Sequence, residues 1–188
     1  MIKTARFLIL TISMSYLSSQ AYAEEPFIGI GYVSSQYSQD SSGSANDADY
    51  NPESYKLTLG SRIYKNAIIE AYYLHSAKED TQELGGANTP VDLEFDFIFG
   101  ASINWAGVTG PFTFYAGPNI SAAKITATSD NQVLQDLNTF STQISPGFGL
   151  GLDIKLHKHF SLDVHAESYL YDSEKTGAGI GAQLRYHL

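Results

Sequence analysis

Four polar residues recur at every second position near the carboxyl end of the chain: Ser161, Asp163, His165 and Glu167. Alternate residues of an extended strand lie on one face, so these four side chains share a face. Their types could supply a nucleophile, an orienting acid and a base. No spacing typical of a metalloprotease, a cysteine zinc site or a phosphate-binding loop occurs in the sequence. The sequence therefore predicts no metal and no cofactor, and the role of this polar stripe depends on where its strand lies.

Alternation of apolar with small or polar residues predicts eight strands. They cover residues 27–37, 54–64, 67–75, 91–105, 112–124, 139–156, 160–171 and 177–188. In the fourth strand, Phe97 and Ile103 share an apolar row that faces away from Glu94, and in the sixth Leu150 faces away from Asp153. The pattern predicts an all-β fold, an eight-stranded antiparallel up-and-down transmembrane β-barrel with lipid outside and a polar lumen. A soluble lipocalin-like barrel, the alternative, would have the opposite faces.

The connections between these strands alternate in length. Short turns are predicted at residues 65–66, 106–110 and 157–159, and longer polar connections at 38–53, 76–90, 125–138 and 172–176. Short periplasmic turns and longer extracellular loops are typical of outer-membrane barrels. An even strand count then predicts that both termini are periplasmic.

The amino terminus has the pattern of a cleaved signal peptide. Lys3 and Arg6 precede an apolar run over residues 7–17, and Ala21 and Ala23 form a small-residue cleavage site. The predicted domains are a signal peptide, residues 1–23, and a barrel, residues 24–188. The mature chain has nine bases against 20 acids, a net charge of −11, so nucleic acid is not expected as a partner. The absence of cysteine excludes disulfides and thiol chemistry.

The last nine residues alternate to the end of the chain, with Ile180, Ala182, Leu184, Tyr186 and Leu188 on one face. This segment resembles the C-terminal strand of bacterial outer-membrane barrels, which the barrel assembly machinery reads, with Leu188 in place of the usual Phe. Glycine-rich apolar runs at 27–32 and 147–153, together with 160–165, extend the likeness. The mature chain resembles the small eight-stranded outer-membrane β-barrel family that includes the OmpA transmembrane domain and OmpX. The resemblance implies a monomer in a Gram-negative outer membrane, in contact with its lipids and lipopolysaccharide.

Several charged residues fall on the predicted inward face, within a few residues of a short turn or a terminus. We expect these side chains to meet at one level of the lumen as a charge network: Arg62, Glu70, Asp153, Lys155, Asp163 and Arg185. Such a network could be a paired plug that satisfies buried charge, or part of a gated ion path. The narrow interior of an eight-stranded barrel favours the plug.

The polar stripe of the seventh strand is expected to face the same lumen. Strand direction places Ser161 just past a periplasmic turn, where an acyl chain in the bilayer cannot reach it. Lipid A 3-O-deacylase barrels use a His and a Ser two residues apart that face lipid, whereas Ser168 has the opposite parity to His165. The sequence therefore predicts no catalytic residue.

The third outer connection interrupts the strand period. Ser129 and Gln132 have the spacing of a capping box, and Val133, Leu134 and Leu137 follow on one helical face. This pattern favours a short helix over residues 130–137, with a structureless loop as the alternative. Its apolar face is a possible contact for lipopolysaccharide or a partner protein.

The expected function is that of an integral outer-membrane barrel without catalytic activity. It would contribute to envelope structure or surface interaction through acidic extracellular loops, of which the first contains Asp40, Asp47, Asp49 and Glu53 and no base. The alternatives are a lipid A-modifying enzyme and a narrow pore or small-solute binder.

Overall fold

The computed structural model describes residues 25–39, 48–64, 66–78, 80–84, 89–129, 141–171 and 175–188. In these ranges ten strands form a single antiparallel sheet. They are β1 (Glu25–Gln39), β2 (Ala48–Tyr50), β3 (Glu53–Tyr64), β4 (Ala67–Lys78), β5 (Asp80–Leu84), β6 (Thr89–Thr109), β7 (Phe112–Ser129), β8 (Ser141–His157), β9 (Phe160–Tyr171) and β10 (Lys175–His187). The sheet closes on itself because β1 pairs with both β3 and β10.

The closed barrel is formed by eight long strands, here called staves: β1, β3, β4, β6, β7, β8, β9 and β10. Strand β2 pairs with β1 and leads into β3, and β5 follows β4 and pairs with β6, so each short strand extends a longer one. The predicted all-β, eight-stranded antiparallel barrel is confirmed. The predicted connection 76–90 is wrong in part, because its middle forms β5. Backbone pairing there needs no apolar alternation, and Thr81, Gln82 and Glu83 supply none.

One end of the barrel, here the short-turn end, has tight turns and both ends of the described chain. Its turns include Asn66 and residues 110–111 and 158–159. Gly110 has a φ of 61°, a left-handed conformation that favours glycine. The other end, the long-hairpin end, is where the strands lead into the longer connections. The predicted helix and the possible contact residues Val133, Leu134 and Leu137 lie outside the described residues.

The outer surface is an apolar belt. Along β3, Tyr55 and Leu57 are exposed. Lys56, between them, and Thr58, the next residue, are buried. The same alternation exposes aliphatic and aromatic side chains on the other staves, among them Ile30, Phe99, Ile103, Phe148, Leu150 and Ile180. Apolar residues outside and charges inside are the arrangement of a barrel that faces lipid.

Of the two prolines in the middle of strands, Pro118 lies at an interruption of the backbone pairing, as expected from the loss of an N–H donor. Opposite Pro118, the β6–β7 ladder lapses between the pairs Ser102–Asn119 and Trp105–Ala116. The β8–β9 ladder ends at Gly149–Glu167, before it reaches Pro146. Just beyond that pair, the Ser168 hydroxyl takes the place of a backbone partner, because it accepts from the Phe148 N–H at 2.9 Å.

The lumen contains more apolar bulk than the sequence predicts. Toward the long-hairpin end, its wall carries one buried cluster: Val33, Tyr37, Tyr72, Leu74, Ile98, Ala123 and Tyr169. We call it the aromatic plug. A second cluster joins Phe27, Ile68 and Tyr115. The predicted polar lumen is therefore polar at its centre and also contains apolar clusters. Inward glycines make room for the rings: a Cβ on Gly100 would lie 2.3 Å from Cζ of Tyr72, and one on Gly151 2.4 Å from Cζ of Tyr115.

Candidate functional site

The centre of the lumen is organised around Arg185 on β10, a side chain that is only 1% exposed. Its Nη2 lies 2.7 Å from Glu70 Oε1 and 3.1 Å from Asp163 Oδ2, and its Nη1 lies 3.3 Å from Asp153 Oδ2. These carboxylates come from β4, β9 and β8, so one guanidinium ties together staves on different sides of the barrel. Charge-assisted hydrogen bonds of this kind are stronger than neutral ones.

Asp163 is the most heavily bonded carboxylate of this cluster and is fully buried. In addition to the Arg185 contact, its oxygens accept from the Tyr115 hydroxyl at 2.6 Å, from Gln183 Nε2 at 3.0 Å and from His165 Nδ1 at 2.7 Å. Every donor is itself buried in the lumen. The acceptor capacity of this carboxylate is therefore taken up by direct contacts with protein donors.

A second charged cluster lies on the side of the lumen toward the aromatic plug. Lys56 on β3 forms an ion pair with Glu167 on β9, and its Nζ also lies 3.1 Å from His165 Nε2. The Lys56 ammonium is 4.7 Å from the centre of the Tyr72 ring, and the Tyr169 hydroxyl donates to Glu167 at 3.1 Å. Both tyrosines belong to the aromatic plug. The second cluster therefore lies directly against the plug, and we call it the polar floor of the plug.

The residues of the polar stripe of β9 belong to these two clusters, and Ser161, Asp163 and His165 are not arranged as a catalytic triad. Ser161 donates its proton to Asp153 Oδ2 at 2.8 Å, and its oxygen lies 2.8 Å from His187 Nε2. His165 contacts Asp163 and Lys56 instead of Ser161. A serine nucleophile needs a base that accepts its proton and a path for substrate, whereas the Ser161 proton is given to a carboxylate and its side chain is fully buried.

The structure brings together four of the six residues expected in the charge network: Glu70, Asp153, Asp163 and Arg185. Arg62 lies apart, with its Nη2 3.3 Å from the Thr113 hydroxyl. Lys155 is exposed near the short-turn end. Neither has an ion pair among the residues that the structure describes.

Sequence reasoning missed other members of the site. The second cluster was not identified as a unit, although Lys56, His165 and Glu167 all have inward parity. Tyr115 and Gln183 were not singled out, and the signal that could have found them is their position on the same inward face as Arg185. Within the described ranges, no group of histidine and acidic residues is arranged to hold a metal ion, and no helix is long and apolar enough to cross a membrane.

A closed antiparallel barrel with an apolar exterior and ion-paired groups inside defines an integral membrane protein of the β-barrel class. The sequence matches the family model "Outer membrane protein beta-barrel domain" over residues 9–187. The chain belongs to this family and is an outer-membrane β-barrel protein.

Solved structures similar to this chain are small outer-membrane proteins. Neisserial surface protein A (NspA) has a TM-score of 0.63 and 16% identity, over 86% of this chain and 96% of that one. OprG from Pseudomonas aeruginosa has a TM-score of 0.55 and 13% identity, over 89% and 98%. Ail, the attachment invasion locus protein of Yersinia pestis, has a TM-score of 0.51 and 18% identity, over 86% and 98%. At these identities the likeness concerns the fold. No curated protein matches the sequence.

Proposed function

We propose that this protein is a non-catalytic anchor of the outer membrane, with a sealed barrel and with long hairpins that make contacts at the cell surface. Both termini would be periplasmic, which fits the tight turns at the short-turn end. Its membrane partners would be lipids and lipopolysaccharide, and β10 would be read by the barrel assembly machinery. A monomer suffices for this role.

The observation that carries the proposal is the packing of the lumen. Arg185, Asp163, Tyr169, Leu74 and Ile98 are each at most 1% exposed, although they come from β4, β6, β9 and β10. Paired charges fill the centre, and the aromatic plug covers them toward the long-hairpin end. The interior of an eight-stranded barrel is just wide enough for side chains to fill, so this interior favours an anchor over a pore.

The arrangement of hydroxyl groups also favours a protein without catalysis. Ser161 is buried and donates to a carboxylate. Ser168 lies beside the backbone of β8, where its hydroxyl accepts from the Phe148 N–H and donates to the Phe148 carbonyl at 3.4 Å. His165 lies on the opposite, inward face of β9. Ser161 lies 2.8 Å from His187 Nε2 but is fully buried, and the Ser168 hydroxyl has no histidine or carboxylate partner among the described residues.

The long-hairpin end suggests what kind of surface contact the anchor would serve. The first connection, residues 38–53, contains four acids and no base. Ail was crystallised in complex with the heparin analogue sucrose octasulfate, a polyanion that an acidic surface would repel. Cationic groups, or divalent cations that bridge carboxylates to lipopolysaccharide, fit this charge better.

Mass spectrometry of lipid A tests the absence of catalysis. We expect identical lipid A masses from cells that lack the protein, cells that express it and cells that express the Ser161→Ala or Ser168→Ala variant. A species that appears only with the wild-type protein and disappears with either variant would identify a lipid A enzyme and overturn the proposal. Heat-modifiable migration of every variant on gels controls for folding of the barrel.

A further inference from the structure

His165 joins the two charged clusters of the lumen through different ring nitrogens. The Asp163 carboxylate can only accept, so Nδ1, at 2.7 Å from it, carries a proton. The Lys56 ammonium can only donate, so Nε2, at 3.1 Å from Nζ, is an acceptor. The partners therefore define a neutral imidazole with its proton on Nδ1.

The same nitrogen that accepts from Lys56 lies near a second acceptor. His165 Nε2 is 3.5 Å from Glu167 Oε1, the oxygen that Lys56 also contacts. A proton on Nε2 could not remain directed at an ammonium, because both groups would then donate. It would find an acceptor in Glu167 after a small movement, while Asp163 keeps the ring in place through Nδ1.

The lumen around His165 contains more acidic than basic side chains. Among the described residues, the titratable and charged groups around His165 come from five other staves and from β9 itself: Lys56 on β3, Glu70 and Tyr72 on β4, Tyr115 on β7, Asp153 on β8, Asp163, Glu167 and Tyr169 on β9, and Arg185 on β10. Four are carboxylates and two are cations. A protonated His165 reduces this excess of negative charge in a region of low dielectric.

We infer that His165 is a proton-operated switch in the lumen. In the neutral state Lys56 holds both His165 and Glu167. On protonation, His165 donates through Nε2 to Glu167, and Lys56 gives up its contact with the ring. Histidine is the side chain whose charge ordinarily changes between about pH 5 and pH 8.

The switch would act on the aromatic plug, because both exchanging groups contact it. The Lys56 ammonium lies against the Tyr72 ring, and Glu167 accepts from the Tyr169 hydroxyl. The two rings also contact each other edge to face, with centroids 6.3 Å apart. A change of partner at His165 is thereby transmitted to the floor of the plug rather than confined to one side chain.

Nuclear magnetic resonance of the refolded mature barrel in phospholipid nanodiscs, with ¹⁵N in histidine and lysine, tests the inference. Between about pH 8 and about pH 5, the range in which histidine ordinarily changes charge, the spectra report the pH at which Nε2 of His165 gains a proton. The Lys56 ¹⁵Nζ resonance should shift with the same midpoint. In the His165→Gln variant, the Lys56 resonance should stay constant over this range.

His157 provides a control in the same sample, because it is exposed beside the β8–β9 turn. The Lys56 resonance should show no shift that follows the His157 ring resonances. The inference is overturned if His165 stays neutral down to about pH 5, or if the Lys56 shift follows the His157 midpoint or persists in His165→Gln. Since the midpoints are compared within the wild-type protein, the test remains decisive even if the variant does not fold.

Discussion

Replacement of Arg185 by alanine is expected to lower the free energy of unfolding by about 3–5 kcal/mol, because it leaves buried carboxylates without their cation. Arg185 contacts Glu70, Asp153 and Asp163, and its guanidinium also lies 4.6 Å from the centre of the Phe27 ring. The interior of an eight-stranded barrel is just wide enough for side chains to fill, so these carboxylates would be left buried without a partner of opposite charge. Urea unfolding in phospholipid vesicles, followed by the fluorescence of the single tryptophan, Trp105, measures the effect.

Arg62→Ala is the matched control for this variant. It removes the same side chain from the same barrel, but Arg62 has a hydrogen bond to Thr113 and no ion pair among the described residues. We expect a loss of about 1 kcal/mol, typical of one hydrogen bond. Equal losses for the two variants would mean that Arg185 is hydrated and that the lumen is open to water.

Leu150→Arg is expected to cost about 2–4 kcal/mol, because the side chain projects from the middle of β8 into the hydrocarbon core. Leu150 is 54% exposed on the outer surface, with Phe148 beside it on the same face. An arginine there must desolvate its charge or distort the bilayer. The same urea unfolding assay in vesicles measures this loss, together with the yield of inserted protein.

Leu156→Arg tests whether the cost depends on depth. Leu156 lies on the same strand and face and is 60% exposed, but it is next to the turn at the short-turn end. An arginine near the interface costs about 0–1 kcal/mol. If Leu156→Arg is as destabilising as Leu150→Arg, these two positions do not differ in membrane depth as their places along β8 imply.

The architecture of the barrel could be predicted because each stave shows its own period of two. The alternation within β8 alone assigns Leu150 to the outer face and Asp153 to the inner face. The alternation within β3 does the same for Tyr55 and Lys56. The extension of β4 by β5 could not be predicted in this way. The pairing of Asp80–Leu84 with β6 depends on backbone groups, which leave no hydrophobic pattern in the sequence.

Four of the six residues expected in the charge network were predicted correctly, but their pairing was not. Parity places Arg185 and Glu70 on the inward face, but their contact joins β10 to β4 across the lumen and follows from the stagger of the closed barrel. The two residues that lie apart from the network are both next to irregularities near short turns. The register shifts between Arg62 and Tyr64 and between Lys155 and His157. A bulge of this kind re-aims side chains that simple alternation would direct inward, as at the exposed Lys155. Arg62 still contacts the buried Thr113 but does not reach the Arg185 cluster.

The central claim is that the lumen is sealed by paired charges and by the aromatic plug. Single-channel recording of the refolded mature protein in planar bilayers at neutral pH tests this claim most directly, with Arg185→Ala measured under the same conditions. The account predicts no conductance steps from the wild-type protein, because the buried side chains of Arg185 and Tyr169 occupy the lumen that an aqueous path would need. Reproducible discrete steps from the folded wild-type barrel would contradict it and identify the protein as a narrow pore.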